Sequence, residues 1–516
     1  MKQILAAALA LAVGFSVAAC GDGGTKNAVL YQEGMQYTES AQREVLPVYS
    51  LSYDYLGGKD VMPIGGFYGL YASGGSDEGN AAPNLLSEEY FKIVSEAGIN
   101  MIVYSVDRWS YGDEANGLTA AFDIIEKNVE KYGDEYRMGY FVEAHNIAAN
   151  LGTHQEHLDI SKVNWDFLPG LVNELNGYDC VLGVLAQDEP FGHQLENIQS
   201  LREAFYSIDG IDEMDMDVYL NALNYWEGDN PHYGVPGDRS HANYIKNLFA
   251  SNTEGAGLKM LSVTQYPYES ANGKESTISA LGYARLARYR SYAKEYKVPF
   301  WRMLQAGGQW NDLAQWIPSQ DPYPSEGELL YDVNLALAFG CKSIQYFPLL
   351  QPLHFAYEKD ENGNHTYDYE NRSGLIGADG NLTRWYYYAK RANEQVKAVD
   401  HVLMNAENEK IIVHGKTAQK YMIDESECSD GLQKDGGYYE LKKVSGDECV
   451  VGCFNYEGKT ALYVVNYDRV NKGDVALEFD GNYKYTVIQR ATEKQCVGER
   501  LQLRLDFGEG ALIVLD

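Results

Sequence analysis

The chain has 516 residues, 45% of them hydrophobic and 22% charged, so it can bury a sizeable core and is not globally disordered. Its formal net charge of -32 would repel phosphate backbones, which argues against nucleic acid as a partner. The length exceeds one ordinary domain and suits a large domain joined to a smaller one.

The first 19 residues are typical of an export signal. Lys2 precedes an apolar run from Ile4 to Ala19, which is shorter than the roughly 20 residues of a membrane-spanning helix. The run ends in Val-Ala-Ala-Cys, which resembles a bacterial lipobox, and the resemblance implies cleavage before Cys20 and acylation of its thiol. We therefore expect an exported protein that is lipid-anchored to the cell envelope. An ordinary signal peptide with an incidental cysteine is the alternative.

Residues 20–65 are predicted to form a tether and an N-terminal extension that adds a strand or wraps the next domain. Over residues 66–404, short β-rich runs alternate with longer helical patterns, which indicates a parallel sheet with crossover helices. The eight predicted strands are 67–71, 100–106, 138–144, 181–187, 217–223, 259–264, 299–305 and 343–349.

Helical patterns follow each predicted strand where the chain offers caps. The first begins after Ser87 and ends at Gly98, and the seventh opens with a capping-box spacing at Ser325 and Glu328. Eight such units predict an α/β fold, a (β/α)8 TIM barrel. An open doubly wound sheet also alternates in this way, but the Gly-rich segment 73–80 does not spell the phosphate-binding GxGxxG pattern.

After about residue 405 the helical signals end and short alternating strands follow, which predicts a C-terminal all-β sandwich over residues 405–516. Cys180 and Cys341 each precede a barrel strand and are expected to be buried thiols. Four further cysteines lie in the C-terminal region, where export would permit disulfides: Cys428, Cys449, Cys453 and Cys496. No cysteine pair has zinc-site spacing with histidines, so no metal is expected.

The carboxyl ends of barrel strands carry the active site in this architecture. The polar residues there are mainly amides, carboxylates and aromatics, which suit sugar hydroxyls and sugar rings. We expect these residues to bind a carbohydrate substrate: Asp107, Trp109, His145, Asn224, Tyr266, Gln305 and Gln345.

The run Leu-Ala-Gln-Asp-Glu-Pro-Phe (185–191) is the most distinctive local feature. It delivers two adjacent carboxylates, Asp188 and Glu189, to the end of the fourth strand. Burial beside a like charge raises the pKa of a carboxyl, as a general acid at neutral pH requires. Regular strand geometry lets only one of the two face squarely into the mouth. Two solvated turn residues before a helix are the alternative.

The motif QDEP resembles the strand-four motif of TIM-barrel glycoside hydrolases, in which an Asn-Glu or Asp-Glu pair supplies the acid/base. More narrowly, the barrel resembles a group of uncharacterised glycosidase-like proteins from gut bacteria. The shared segments are QDEPF (187–191), QYPY (265–268), PFWRMLQ (299–305) and SIQYFPLLQP (343–352). The resemblance covers strands four to eight and implies that Glu189 is the catalytic acid.

The sequence also departs from that pattern. Retaining enzymes of the large TIM-barrel clan carry a nucleophilic Glu at the end of strand seven, where this chain has Gln305. The narrower group is expected to carry an Asp before its QYP motif, where this chain has Thr264. The second catalytic carboxylate therefore stays open, with these candidates: Asp188, Glu143, Asp107, Glu269 and Asp312.

Two functions follow from these residues. The leading hypothesis is a glycoside hydrolase without a cofactor, in which Glu189, Asp188 and Glu143 are the catalytic residues. The rival is a non-catalytic, surface-anchored glycan-binding protein on a degenerate barrel. A metal-dependent hydrolase would need clustered histidines, and His154, His157 and His193 are predicted to lie in loops. The sugar, the linkage and the oligomeric state stay open.

Overall fold

The computed structural model describes residues 27–70, 84–103, 118–143, 165–225, 228–234, 237, 239–269, 277–278, 284–307, 324–351, 357–359, 365–367, 374–377, 379–422 and 432–516. The segments predicted to hold the export signal, Cys20 and the Gly-rich loop at 73–80 lie outside these ranges. None of the helices in the described part of the chain combines the length and the apolar character that a membrane span needs.

Eight parallel strands close into a barrel, which confirms the predicted (β/α)8 architecture. After a short N-terminal strand, β1 (Val29–Leu30), the barrel strands are β2 (Ile64–Phe67), β3 (Met101–Val103), β4 (Gly139–Glu143), β5 (Val181–Asp188), β6 (Asp217–Ala222), β7 (Leu261–Thr264), β10 (Phe300–Gln305) and β11 (Ser343–Phe347). A hairpin of β8 (Tyr268–Glu269) with β9 (Thr277–Ile278) lies between β7 and β10, and a second hairpin, β12 (Tyr357–Lys359) with β13 (His365–Tyr367), follows β11.

Helices flank the barrel strands. They are α1 (Glu88–Glu96), α2 (Leu118–Tyr132), α3 (Leu168–Leu175), α4 (Leu195–Tyr206), α5 (His241–Leu248), α6 (Ala284–Tyr296), α7 (Glu326–Ala338) and α8 (Arg384–Leu403). Short 3-10 turns lie at Asp54–Leu56, Gly58–Asp60, Asp134–Tyr136, Gly192–Gln194, Ile211–Glu213 and Pro231–Tyr233. The caps expected from the sequence are present, since Ser87 caps α1 and the side chains of Ser325 and Glu328 form a capping box at α7.

The first barrel strand begins at Ile64, earlier than the predicted 67–71. Gly65 and Gly66, which precede the predicted start, are strand residues. A Cβ at Gly65 would lie 2.7 Å from the Gln345 side chain, and one at Gly66 would lie 2.6 Å from that of Leu349. These positions are glycine because neighbouring side chains occupy the space.

The barrel lumen is packed with side chains, as barrels of this size require. Its apolar core includes Phe141, Tyr219 and Trp301, and Trp301 is fully buried. Tyr53 of the N-terminal segment joins this cluster from below, where its hydroxyl donates to Asp217 at 3.3 Å. The segment preceding β2 therefore closes the floor of the barrel and leaves the opposite end as the mouth.

The C-terminal domain is a nine-stranded sheet that folds around its own apolar core as a β-sandwich. Its strands are β14 (Ala406–His414), β15 (Leu432–Lys434), β16 (Leu441–Gly446), β17 (Cys449–Tyr456), β18 (Lys459–Asn466), β19 (Gly473–Gln489), β20 (Thr492–Leu505) and β21 (Gly510–Leu515), joined by β1 at the edge of β20. The expectation that helices end near 405 was wrong at one place, since α9 (Lys416–Met422) follows β14.

The thiols of the C-terminal domain are free within the described residues. Cys449 and Cys453 are buried and Cys496 is half-buried, whereas Cys428 lies outside the described residues. Cys180 and Cys341 are buried thiols, as predicted. Burial raises the pKa of Cys180 far above its ordinary value, so this thiol is unreactive.

Gly183 permits an irregular strand geometry below the mouth. Its φ is +140°, and an added Cβ would lie 1.8 Å from the Asp217 carbonyl oxygen of β6. Gly183→Ala is therefore expected to lower the free energy of unfolding by about 3 kcal/mol, through backbone strain and overpacking together. Urea denaturation measures the change. Gly170→Ala is the control, because that exposed helix position has open space and should gain about 0.5 kcal/mol. Equal stability of the two variants would contradict the argument.

Candidate active site

The mouth of the barrel is lined by the last inward-facing residues of five strands that are consecutive around the barrel. We call this set the mouth layer: Asp188, Asn221, Thr264, Gln305 and Phe347. Strand alternation places Asn221 two positions beyond the lumen residue Tyr219, and Gln305 two positions beyond Met303. The chain therefore presents carboxylate, amide, hydroxyl and aromatic groups at one end of the barrel.

Asp188 is the last residue of β5 and pairs in register with Asn221 of β6. A register shift between Leu185 and Gln187 precedes it, so β5 is not regular at its end. Asn221 Nδ2 donates to Asp188 Oδ1 at 3.0 Å. Burial raises the pKa of Asp188 to about 6, while the hydrogen bond from Asn221 opposes that rise.

Glu189 follows directly in an unusual backbone conformation. Its φ is +45°, in the left-handed region that side chains other than glycine rarely adopt. The Glu189 N–H donates to the Asn221 carbonyl oxygen at 2.9 Å and holds this conformation. The expectation that only one of the two carboxyls faces squarely into the mouth assumed regular strand geometry, and the register shift and the left-handed turn remove that assumption.

The Glu189 carboxyl lies partly exposed at the mouth and interacts with that of Asp188. Burial, together with the Asp188 charge, raises the pKa of Glu189 to about 8, and a hydrogen bond with Thr264 opposes the rise. No lysine or arginine of the described ranges forms an ion pair with either carboxyl. The pair titrates as a coupled system, in which Glu189 has the higher pKa of the two carboxyls.

The wall opposite the acid pair is aromatic. In the closed order of strands, β11 stands four strands away from β5, on the far side of the barrel. Tyr68, Tyr266 and Phe347 form what we call the aromatic wall: the Tyr266 and Phe347 rings stack at 5.8 Å with an interplanar angle of 24°, and Tyr68 lies 5.4 Å from Phe347. All three side chains are partly exposed, so a flat ligand can contact them.

The predicted binding residues fall into distinct places. Tyr266 belongs to the aromatic wall, and Gln305 lies buried at the end of β10. Asn224 lies beyond β6, where its Oδ1 accepts hydrogen bonds from the Tyr289 hydroxyl and the Tyr225 N–H, both at 3.1 Å. Gln345 lies one layer below the mouth, fully buried, where its Oε1 accepts from Tyr219 at 2.8 Å.

The other predicted site residues lie outside the described residues. They are Asp107, Trp109, His145, Asp312, Cys20 and the side chains of Glu143 and Glu269. The backbone of Glu143 ends β4, beside Leu185 of β5 in the strand register. Within the part of the chain that the structure describes, no group of three or more metal-binding side chains could hold a metal ion.

Sequence reasoning missed three members of this site. Asn221 occupies an inward position of the run DVYLNAL, two residues after Tyr219, and that spacing was the available signal. Phe347 similarly follows Gln345 at the inward spacing of β11. Tyr68 has a φ of +72° directly after β2, and nothing in the sequence marks that conformation.

No family model and no curated protein matches the chain. Among solved structures, it is similar to a β-galactosidase from Bacillus circulans sp. alkalophilus, at 11% identity and a TM-score of 0.47 over 88% of this chain and 99% of that one. It is also similar to a GH51 arabinofuranosidase from Xanthomonas axonopodis pv. citri, at 9% identity and a TM-score of 0.45 over 95% and 100%. A third is an endo-β-1,4-mannanase from Thermotoga petrophila, at 11% identity and a TM-score of 0.39 over 86% and 99%.

These matches are glycoside hydrolases, but their identities of 9–11% are too low to carry activity from one chain to another. The barrel itself is established by the chain's own closed order of strands.

Proposed function

We propose that the protein is a glycoside hydrolase that cleaves an oligo- or polysaccharide outside the cytoplasm, with Glu189 as the general acid. The observation that carries the proposal is the pair of adjacent carboxyls at the mouth, in which burial and the neighbouring Asp188 raise the pKa of Glu189 to about 8. Such a carboxyl can give its proton to the leaving oxygen of a glycosidic bond at neutral pH.

The aromatic wall and the amides support a carbohydrate as the substrate. A sugar ring can lie with its apolar C–H face on Tyr266 and Phe347, while its hydroxyls contact amides such as those of Asn224 and Gln305. Gln345 lies too deep to touch a sugar, so we assign it a supporting role beneath the mouth.

Glu143 is our candidate for the second catalytic carboxylate. It ends β4, the strand next to β5, whereas the strand-seven position of retaining enzymes holds Gln305. Asp188 would stay ionised, and its charge would both keep the proton on Glu189 and stabilise the positive charge that develops on the sugar in the transition state. The anomeric form of the first product distinguishes the outcomes, because a separation near ~5 Å between the acid and the second carboxyl gives retention and a wider gap gives inversion.

The experiment is release of reducing sugar from a panel of neutral glycans by the unmodified protein and by Glu189→Gln. Turnover that disappears in Glu189→Gln supports the hydrolase. Gln305 favours a second candidate, a glycan-binding protein without activity, because an amide cannot be a nucleophile. Glycan binding without turnover by the unmodified protein would support that candidate.

The pH dependence of hydrolysis follows from the two carboxyls. Asp188 must be ionised and Glu189 protonated, so kcat/KM should be highest between about pH 6 and about pH 8. It should fall about tenfold for each further pH unit below the first value or above the second. Measurement of kcat/KM from about pH 4 to about pH 10 checks both limbs of this profile. A single rising limb, with full activity retained at pH 10, would contradict Glu189 as the acid.

We also propose that Cys20 carries a lipid anchor that holds the protein on the cell envelope. The lipobox-like end of the apolar run supports this. Metabolic labelling with a palmitate analogue is expected to mark the unmodified protein and not Cys20→Ser, and labelling of both would contradict the assignment.

A further inference from the structure

One residue contacts both members of the acid pair. The Asn221 side chain donates from Nδ2 to Asp188 Oδ1 at 3.0 Å, and its main-chain oxygen accepts the Glu189 N–H at 2.9 Å. The same Nδ2 donates to Thr264 Oγ1 at 2.7 Å. Asn221 itself is fully buried. It therefore links the end of β5 to β7 across the top of the lumen.

The Asn221 amide also contacts the polar side chains that lie beneath the mouth. Its Oδ1 accepts from the Ser262 hydroxyl at 3.2 Å, and Ser262 in turn contacts the Tyr219 hydroxyl at 2.8 Å. Tyr219 also donates to Gln345 at 2.8 Å, so the polar chain crosses to β11. The Ser262 and Thr264 hydroxyls can each donate or accept, whereas the ionised Asp188 carboxylate can only accept, so the bond to Asp188 decides that Nδ2 and not Oδ1 faces it.

We propose that Asn221 is the positioning residue of this site. Its side chain holds Asp188 as the ionised partner, and its main-chain oxygen holds the backbone of Glu189, whose carboxyl is the acid. This inference rests on the proposed function, because it assigns roles within the same pair. Asn221 touches no reacting atom in this arrangement and acts through the two carboxyls. The donated hydrogen bond favours the charged form of Asp188, which in turn favours the protonated form of Glu189.

The surroundings add no competing charge among the described residues. The titratable neighbours are Tyr219 beside Asp188, and Tyr244 and Tyr289 beside Glu189. Burial raises the pKa of each of these phenols far above its ordinary value. All three are therefore neutral over the range of about pH 4 to about pH 10 in which kcat/KM is measured. A change at Asn221 therefore acts on the two carboxyls.

The test compares pH profiles of kcat/KM for variants that act on opposite limbs. Asn221→Ala removes the bond that favours ionised Asp188, so the acidic limb should move up by about half to one pH unit. Thr264→Val removes a bond that favours ionised Glu189, so the basic limb should move up instead. Thr264→Ser keeps the hydroxyl and should restore the original profile. Asn221→Ser serves if Asn221→Ala does not fold.

A stability titration gives a readout that needs no substrate. In a Glu189→Gln background, which removes the other titrating carboxyl of the pair, the difference in melting temperature between Asp188→Asn and its parent should reach its plateau near pH 6. In the Asn221→Ala background that plateau should lie about half to one pH unit higher. Asn393→Ala is the matched control: it removes another buried amide, which donates to the Ala97 carbonyl at 2.8 Å, and it should leave both profiles in place.

The outcomes separate the two proposals. Turnover by the unmodified protein with limbs that do not move in Asn221→Ala would overturn the role of Asn221 and leave the hydrolase intact. Absence of any turnover would overturn the proposed function. The stability titration would still show whether Asn221 favours the ionised form of Asp188. If the limbs also move in Asn393→Ala, removal of any buried amide has this effect, and the role proposed for Asn221 is overturned.

Discussion

Glu189→Gln is expected to abolish hydrolysis and, at neutral pH, to make the folded protein more stable. Loss of the proton donor should lower kcat by at least about 1,000-fold, within the range that general acids contribute. Glutamine keeps the shape of the side chain and cannot ionise, so the fold loses a carboxyl whose charged form is disfavoured at the mouth.

The sign of the stability change follows from the raised pKa. Unfolded glutamate ionises near ~4.3, whereas the folded protein holds the pKa of Glu189 at about 8. The unfolded state therefore loses its proton first, and the stability of the unmodified protein falls as pH rises between those two values. Glu189→Gln escapes this loss, so its advantage should be absent near pH 4 and reach about 2 kcal/mol by pH 8.

Thermal unfolding at a series of pH values measures this advantage, which corresponds to about 2 °C in melting temperature for a chain of this size. Glu196→Gln is the matched control, since Glu196 is exposed on α4 and should change neither activity nor stability. A Glu189→Gln protein that is inactive and also less stable at pH 8 would show that Glu189 is a structural residue and not a proton donor.

Arg302→Met is expected to produce the largest loss of stability, because it leaves a buried carboxyl without its cation. Arg302 lies within β10 and Asp332 within α7, and both side chains are fully buried. The guanidinium forms an ion pair with the Asp332 carboxyl and donates to its main-chain oxygen at 2.9 Å. Removing one partner of such a pair costs about 3–5 kcal/mol.

The double variant Arg302→Met/Asp332→Leu tests the cause. With both charges gone, the apolar side chains fill the same space, and most of the lost stability should return. Arg504→Met is the surface control: Arg504 lies 3.9 Å from Asp474 with both side chains exposed, and its loss should cost less than about 0.5 kcal/mol. Urea denaturation of the four proteins gives the values. A double variant as unstable as Arg302→Met would refute the unpaired charge as the reason.

Much of the fold could be predicted because its cause is local. Apolar runs of strand length, separated by capped helices, are enough to indicate the barrel. The two-part strand β19 could not be predicted in this way. Its two apolar halves read as separate strands, while the register shift between Glu478 and Tyr483 that joins them depends on pairing with β20.

The candidate site could be predicted at the level of its elements and less well at the level of its geometry. The position of Asp188 and Glu189 at the end of a strand follows from the sequence. The left-handed φ of Glu189 does not, because it is held by the carbonyl of Asn221, 32 residues further along the chain. Nor does the role of Asn221, since an amide inside a strand looks the same whether it supports a carboxyl or a backbone.

The N-terminal segment has a consequence for how the chain reaches its final state. β1 pairs with Val497 and Cys496 of β20, near the opposite end of the sequence, and Tyr53 then closes the barrel floor. Residues 29 and 30 cannot complete this pairing until residues 496 and 497 have been made. The pairing has a very long separation in sequence, and contacts of that kind slow folding most, so we expect this edge of the sandwich to form late.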